Sequence, residues 1–528
     1  MEMTNSVWGK GQLMAMSGLE GRTDYAEGLV LRTRENGVID LKFPSAGGRI
    51  VLSNDKPQKC LLLSDAFETE HAKGVVVDAY HILIEGKAAV ENLPDTYASL
   101  TEGDRLLVGL RKHFNPALIH ADLNDIFAKC VSYYKGLPTY GTVAPLERMA
   151  LQKAYSQLKG QIYSPYDGFP HFWSTPDRWP HRKMWLWDSV FHAIGIRHYD
   201  VKLAKDILRA VLEYQHDDGL IPHMMAPDGC SKITQPPVLA LGLKMVLEKE
   251  ADDELMAYAL PKLAAHLQWI MKNRDTDGNG LVEWNIEGDP MCRSGESGMD
   301  NSPRFDAATQ LDATDFNSYL SMECEIVSEF AEHLGNKAMA AEWKAHHERI
   351  NRLMRETMWC ESERIFMDVD VTTGKQTGVS ASSGFLPLIC GAATAEQAAL
   401  LVKNLLDPET FATPWRVPSI SRKCTAQYQK DMWRGPVWLN INWLIAYGLK
   451  RYGYAAESVD LRQQTRRMEL KYYEKYGTFF EFFDDRDECD PPLLLRKGCN
   501  EQEGSGYHQV FFDYGWSASL FVDFTAIS

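Results

Sequence analysis

Several familiar signals are missing from this chain of 528 residues. Ten cysteines occur, at 60, 130, 230, 292, 324, 360, 390, 424, 489 and 499, yet no CxxC pair is among them. That spacing disfavours a zinc site and suits mostly buried free thiols in a reducing compartment. No apolar run approaches the ~18 residues that a membrane-spanning helix needs. Residues Met1 to Met14 lack a basic stretch followed by an apolar one, so no signal peptide is expected. There is no excess of positive charge. The formal net charge is −16, which argues against nucleic acid or an anionic membrane as a main partner. Neither GxGxxG nor GxxxxGK[ST] occurs, so nucleotide use is unsupported. His171, His181, His192, His223 and His508 form no HxxxH or HxH pattern and read as pocket or packing residues. No repeat of fixed period is visible, which disfavours a solenoid.

What is present is ordinary in bulk, 45% hydrophobic and 24% charged. It is richer in aromatics with polar edges, with 14 Trp and 22 Tyr. Such rings stack on sugar faces, although large cores use them too. Residues 1–115 read as strands, an N-terminal β-sandwich domain. Leu29–Arg34 and Val38–Phe43 flank Asn36-Gly37, a strong hairpin signal. Val75–Val77, Tyr80–Ile84 and Arg105–Gly109 continue the pattern. Residues 116–140 read as a linker. From about Pro116 onward the period turns helical, with apolar positions at helix spacing in about a dozen segments, and 141–528 reads as the catalytic domain. They include Asp188–Arg197, Val201–Tyr214, Phe316–Leu334, Val437–Tyr452 and Trp516–Phe524. Helix pairs with long Gly/Pro/aromatic loops suggest a mainly α protein, an (α/α)6 barrel or toroid whose loops carry the site.

Two acids sit in unusual settings. Asp300 lies in Gly295-Glu296-Ser297-Gly298-Met299-Asp300-Asn301-Ser302-Pro303-Arg304, shortly after Trp284. Glycine there lets a substrate approach the backbone closely. Glu481 lies between aromatic rings in Phe479-Phe480-Glu481-Phe482-Phe483-Asp484. Inverting glycosidic hydrolysis needs a protonated acid for the leaving oxygen and an ionised carboxylate to activate water, roughly 6.5–9.5 Å apart. From spacing alone the plainer account prevails, with Asp300 a turn or cap residue and Glu481 a surface acid. Glu474, Glu501 and Glu503 are nearby alternatives for the second acid.

A series of collinear motifs changes that balance. Ser297–Arg304 resembles the acid-bearing motif of the (α/α)6-barrel hydrolases that include trehalases and glycoside hydrolase family 63. Trp185-Leu186-Trp187-Asp188-Ser189, Ser231–Pro237, and Trp433–Trp438 with Asn440 and Asn442 are similar to the substrate-binding segments of that clan. Phe480–Asp484 followed by Phe512–Ser517 resembles its base-bearing end. The similarity runs from about Met184 to Phe524. The resemblance implies an inverting, exo-acting hydrolase of α-glucosidase type, with Asp300 as general acid and Glu481 as general base. It implies a small carbohydrate substrate and no cofactor in the chemistry. Trehalose, mannosyl- or glucosylglycerate and rhamnosides are the alternative substrates, and a non-catalytic sugar-binding protein is the alternative class. On this resemblance Trp187 and Asp188 contact the sugar, with a helix start and its cap as the other account. Trp284, Trp433, Trp438 and Trp516 supply rings. Gln235 reaches a hydroxyl or merely enters a helix, and Arg434 lines the wall or holds an acid ionised.

Asp275-Thr276-Asp277-Gly278-Asn279-Gly280-Leu281-Val282-Glu283 matches the first nine positions of a calcium loop. Asp275, Asp277, Asn279, Leu281 and Glu283 would be the ligands of a structural Ca²⁺. Position 12 is Ile286, so an acid from elsewhere would have to complete the site. The other account is an Asx/Gly turn between helices. A cytoplasmic location is expected. Nothing here indicates the oligomeric state.

Overall fold

The computed structural model describes residues 1–35, 39–43, 47–53, 57–142, 144–166, 168–500 and 509–527. Among them the first 110 residues form eleven strands. These are β1 (Leu13–Ala15), β2 (Val30–Glu35), β3 (Ile39–Lys42), β4 (Arg49–Ser53), β5 (Cys60–Leu62), β6 (Ala66–Thr69), β7 (Ala72–Val76), β8 (His81–Gly86), β9 (Ala89–Glu91), β10 (Tyr97–Glu102) and β11 (Arg105–Leu110). They make two antiparallel sheets, ordered β1-β2-β3-β4-β9 and β10-β11-β8-β7-β6-β5. The expected hairpin has its strands paired from Arg32↔Lys42 to Glu35↔Ile39. Its Asn36-Gly37 turn lies outside the described residues.

The sheets close on a shared apolar core. Leu31, Leu41 and Ile50 of the first sheet meet Phe67, Val76, Ile82, Ile84 and Val108 of the second, with Trp8 between. Side chains alternate across a strand, so Val75, Leu83 and Leu107 point the other way. They join the larger core shared with the helices. The second sheet is thus covered on both faces, which is why β8 reads as a continuous apolar run rather than an alternating one.

The cover comes partly from residues 116–140, which are not an unstructured linker. They hold a 3₁₀ turn, Pro116–His120, and helix α1 (Leu123–Lys135), N-capped by the Asp122 carboxylate. Its Leu123, Phe127, Cys130 and Tyr134 are buried in that larger core. The stripe at positions 123, 127, 130 and 134 has helical spacing and was legible in the sequence.

Among the described residues twelve further helices follow: α2 (Pro145–Gly160), α3 (Leu186–Ile196), α4 (Val201–Glu213), α5 (Leu239–Leu247), α6 (Asp253–Arg274), α7 (Thr314–His333), α8 (Lys337–Thr357), α9 (Pro387–Cys390), α10 (Ala395–Leu405), α11 (Leu439–Arg451), α12 (Ala455–Tyr476) and α13 (Gly515–Ala526). α3 packs on α5, α5 on α7, α7 on α9, α9 on α11, α11 on α13, and α13 back on α3. Every residue of α3 is buried, and so is every residue of α13 except its last, Ala526. This follows from their sequences, mostly apolar or small apart from Asp188, His192 and Asp523, where a surface helix needs a polar face. α4, α6, α8 and α12 pack from outside on this set and carry the polar faces. All ten cysteines are free, but only Cys60, Cys130, Cys324 and Cys390 are fully buried. No described helix is long and apolar enough to cross a membrane.

Candidate active site

A cavity of about 330 Å³ opens where α3, α11 and α13 begin. Trp185 and Trp187 enter at the start of α3, Trp438 immediately before α11, and Tyr514 and Trp516 at the start of α13. The rings brace each other. Trp433 stacks on Trp438 with centroids 3.8 Å apart, and Trp438 on Phe482 at 4.7 Å. Trp187 meets Trp516 edge to face at 5.3 Å.

Both singled-out acids line this one cavity. Asp300 lies within the loop between α6 and α7. Gly298 in that loop has φ +69°, and a Cβ there would stand 2.5 Å from the Trp187 ring, so glycine is required twice over. Asn301 locks the loop across the cavity, its Oδ1 accepting the Trp433 N–H at 3.1 Å. Glu481 sits on a short extended segment, its N–H donating to Phe511 O at 3.1 Å. The flanking Phe480 pairs with Phe512, and Phe483 with Val437.

Each acid is met by a cation from consecutive residues. Arg496 Nε donates to Glu481 Oε2 at 3.0 Å. Lys497 Nζ stands 3.0 Å from Asp300 Oδ2. The strap carrying them turns through left-handed backbone, Lys497 at φ +55° and Gly498 at φ +79°. The buried Asp431 carboxylate holds that turn by accepting the N–H groups of both residues, at 3.0 and 2.8 Å.

Burial pushes the Glu481 carboxyl above its ordinary value, and Arg496 opposes that. Burial, then the charge of Glu481, push Asp188 well above the carboxylate range. A third acid beside Glu481 therefore favours its neutral form. Tyr514 donates its hydroxyl to Asp188 Oδ1 at 3.4 Å. Burial takes His223 down to about 4, so at neutral pH it lines the cavity uncharged. His181, also in the wall, is oriented by Asp177, Nδ1 to Oδ2 2.9 Å.

Of the residues singled out from sequence, Asp300, Glu481, Trp187, Trp433, Trp438 and Trp516 come together here. Four do not line the cavity. Asp188 lies beside Glu481 as described. Gln235 uses its Oε1 to accept the Trp187 N–H at 3.1 Å, which fixes the entry to α3. Trp284 is a packing residue, stacked on Phe316 at 3.6 Å and donating Nε1 to Asp315 Oδ1 at 2.9 Å. Arg434 holds neither acid of the cavity. It grips Asp306 through two bonds of 2.7 and 2.8 Å and donates to Asn301 O, bracing the acid-bearing loop. Glu474 is exposed on α12. Glu501, Glu503 and His508 lie outside the described residues. Sequence reasoning missed Arg496 and Lys497, and took in Tyr514 only as part of the segment Phe512–Ser517.

The calcium-type loop places carboxylate oxygens of Asp275, Asp277 and Glu283 within 4.8 Å of one another. Asp312, from the strand before α7, closes on them and accepts the Asn279 side-chain amide at 3.0 Å. The Oδ1 atoms of Asp275 and Asp312 are buried without a hydrogen-bond partner. Burial pushes Glu283 up to about 7 and Asp312 to about 6. Buried acids with orphaned oxygens fit a hard divalent cation, and Asp312 brings a further carboxylate to the loop.

Residues 181–489 match the family described as mannosylglycerate hydrolase MGH1-like glycoside hydrolase domain. The chain is 26% identical over 384 residues to the mannosylglycerate hydrolase MGH1 of Selaginella moellendorffii, covering 57% of this chain and 75% of that one. It is 23% identical over 418 residues to a glucosylglycerate hydrolase of Mycolicibacterium hassiacum, covering 59% and 88%. In fold it is similar to the GH63 mannosylglycerate hydrolase of Thermus thermophilus solved with Tris and D-glycerate. There the TM-score is 0.57 at 24% identity, over 71% of this chain and all of the other. The chain belongs to the mannosylglycerate hydrolase MGH1-like glycoside hydrolases and is a glycoside hydrolase.

Proposed function

We propose that this enzyme hydrolyses a small α-glycoside with inversion, Asp300 acting as general acid and Glu481 as general base. One observation carries the reading: both carboxylates line one cavity, and each has its own cation. Glu481, raised by burial with Arg496 opposing that rise, takes a proton from water in its ionised form as that water attacks the anomeric carbon. Asp300 delivers a proton to the departing oxygen. The tryptophan rings bind the sugar face, and neutral His223 exchanges hydrogen bonds with hydroxyl groups. The helical part is best described as an (α/α)6 toroid, a reading supported by the contacts that run from α3 through α13 and back. The loops at one end of the inner helices then carry the site.

Among the substrates considered from sequence, a glycosylglycerate is preferred to a general α-glucoside. Relatives named for mannosyl- and glucosylglycerate support this, as does a cavity that holds two cations. The test is NMR of the first-released sugar from glucosylglycerate and mannosylglycerate. A β-anomer as the initial product is expected; initial α-anomer refutes inversion.

In the same proposal Asp275, Asp277, Asn279, Glu283 and Asp312, with the Leu281 carbonyl, hold a structural calcium ion. It would neutralise acids that pack under the loop leading to Asp300. Calcium at a hundredfold excess over Kd is expected to raise unfolding stability by about 2–3 kcal/mol. EGTA removes the gain, and Asp312→Asn lacks it. Identical melting with calcium and with EGTA disproves the site.

A further inference from the structure

The contact between Lys497 and Asp300 poses a chemical problem. A general acid must carry a proton when the glycosidic bond breaks, yet the Asp300 carboxylate is paired with an ammonium, Lys497 Nζ standing 3.0 Å from its Oδ2. In return, the Asp300 charge is the largest cause holding the Lys497 ammonium above the ordinary lysine range. The pair is not sealed away: the two side chains are 23% and 19% exposed. By contrast, Arg496 and Glu481 are 9% and 3% exposed. Lysine is a point charge on a flexible stem, able to change partner while its backbone stays fixed. Here the backbone is fixed by Asp431.

Position decides what the new partner is. A group bonded to the general acid stands beside the oxygen that the acid protonates, hence beside the aglycone. Arg496, bonded to the base, stands on the side of the attacking water.

We propose that Lys497 is a specificity-determining residue that exchanges Asp300 for an anionic group of the aglycone, a carboxylate, and so makes Asp300 competent as the acid. This rests on the assignment of Asp300 as general acid. The balance closes. The aglycone carboxylate replaces the Asp300 carboxylate on the ammonium, Asp300 takes one proton from solvent, and that proton later passes to the departing oxygen. A neutral aglycone offers Lys497 nothing, leaves it on Asp300, and is turned over slowly. Discrimination therefore appears in kcat as well as in KM. The other charged or titratable groups facing Asp300 are Arg496, His223 and Cys292, and Glu287 shares the wall. Cys292 and His223 are pushed by burial toward their neutral forms, and Arg496 is committed to Glu481. Lys497 is the cation in this group that can exchange partners.

The test compares Lys497→Met with wild type on glucosylglycerate and on methyl α-glucoside. The variant should lose about 10- to 100-fold in kcat/KM on the anionic substrate. It should gain on the neutral one, where Asp300 no longer has a competitor for its proton. Lys497→Arg should restore part of the anionic activity. A second measurement is titration calorimetry of glucosylglycerate into Glu481→Gln in two buffers of different ionisation enthalpy. Uptake close to one proton per site is expected, abolished by adding Lys497→Met. An equal proportional loss on both substrates, or no proton uptake on binding, overturns the proposal. Failure of the acid assignment itself would look different: Asp300→Asn would remain active on both substrates.

Discussion

Asp300→Asn and Glu481→Gln each lower kcat by about 10²- to 10⁴-fold, with substrate affinity held within a small factor by the tryptophan walls. Leaving groups separate the two roles. An aryl glycoside with a dinitrophenolate leaving group needs no proton, so Asp300→Asn should recover much of its rate there. Glu481→Gln should stay slow with any leaving group, because water still lacks its base. The pH profile gives a further check. Glu481 must be ionised, and burial raises its pKa. Activity should therefore fall as pH drops through a value above that of an ordinary glutamate. Arg496 is the main group opposing that rise. Arg496→Met should move the acidic limb further up in pH, so that the variant loses most at low pH and least at high pH. Unchanged turnover of Asp300→Asn on an alkyl glycoside would remove the mechanism.

How much of this was written in the sequence depends on the kind of signal. Helices α3, α7, α11 and α13 were legible because their apolar residues recur at helix spacing over ten or more positions. The short strands β1, β5 and β9 were not, since three residues carry no period. α1 was not singled out, although its apolar stripe at 123, 127, 130 and 134 keeps helix spacing. At the site, residues whose neighbours in sequence are their neighbours in space could be read, as in Trp185-Leu186-Trp187 and Phe480-Glu481-Phe482. Arg496 and Lys497 could not. Their partners lie 15 and 197 positions away, and nothing local distinguishes them from two surface cations. Trp284 shows the opposite error. Its position just before the acid-bearing loop suggested a sugar platform, but Phe316 on α7 claims its face. Asp312 had no local signal of its place beside the calcium-type loop, because a strand pairing brings it there.

The last residue of the acid-bearing motif has the largest expected effect on stability. Arg304 is 3% exposed and stands between two buried carboxylates. It bonds Asp315 Oδ2 at 2.6 Å and Asp368 Oδ2 at 2.8 Å. Asp315 also accepts the Trp284 indole, and Asp368 accepts the Thr314 N–H that opens α7. Arg304→Met keeps the bulk and removes the charge, leaving two like charges in a dry core. A cost of about 3–5 kcal/mol is expected by urea unfolding. Burial already raises Asp368, and Asp315 adds to it. Without Arg304 the folded-state pKa of Asp368 rises further above its unfolded value. The folded variant then binds more protons than the unfolded chain, so its deficit against wild type should narrow as pH falls and widen as pH rises. Arg304→Met/Asp368→Asn should regain part of the loss, since one charge is gone. Because the same guanidinium pins the loop four residues after Asp300, the single variant should also lose kcat at temperatures where it remains folded. A stability deficit that does not change with pH would mean that the two acids are not the source of the cost, and that Arg304 acts through packing alone.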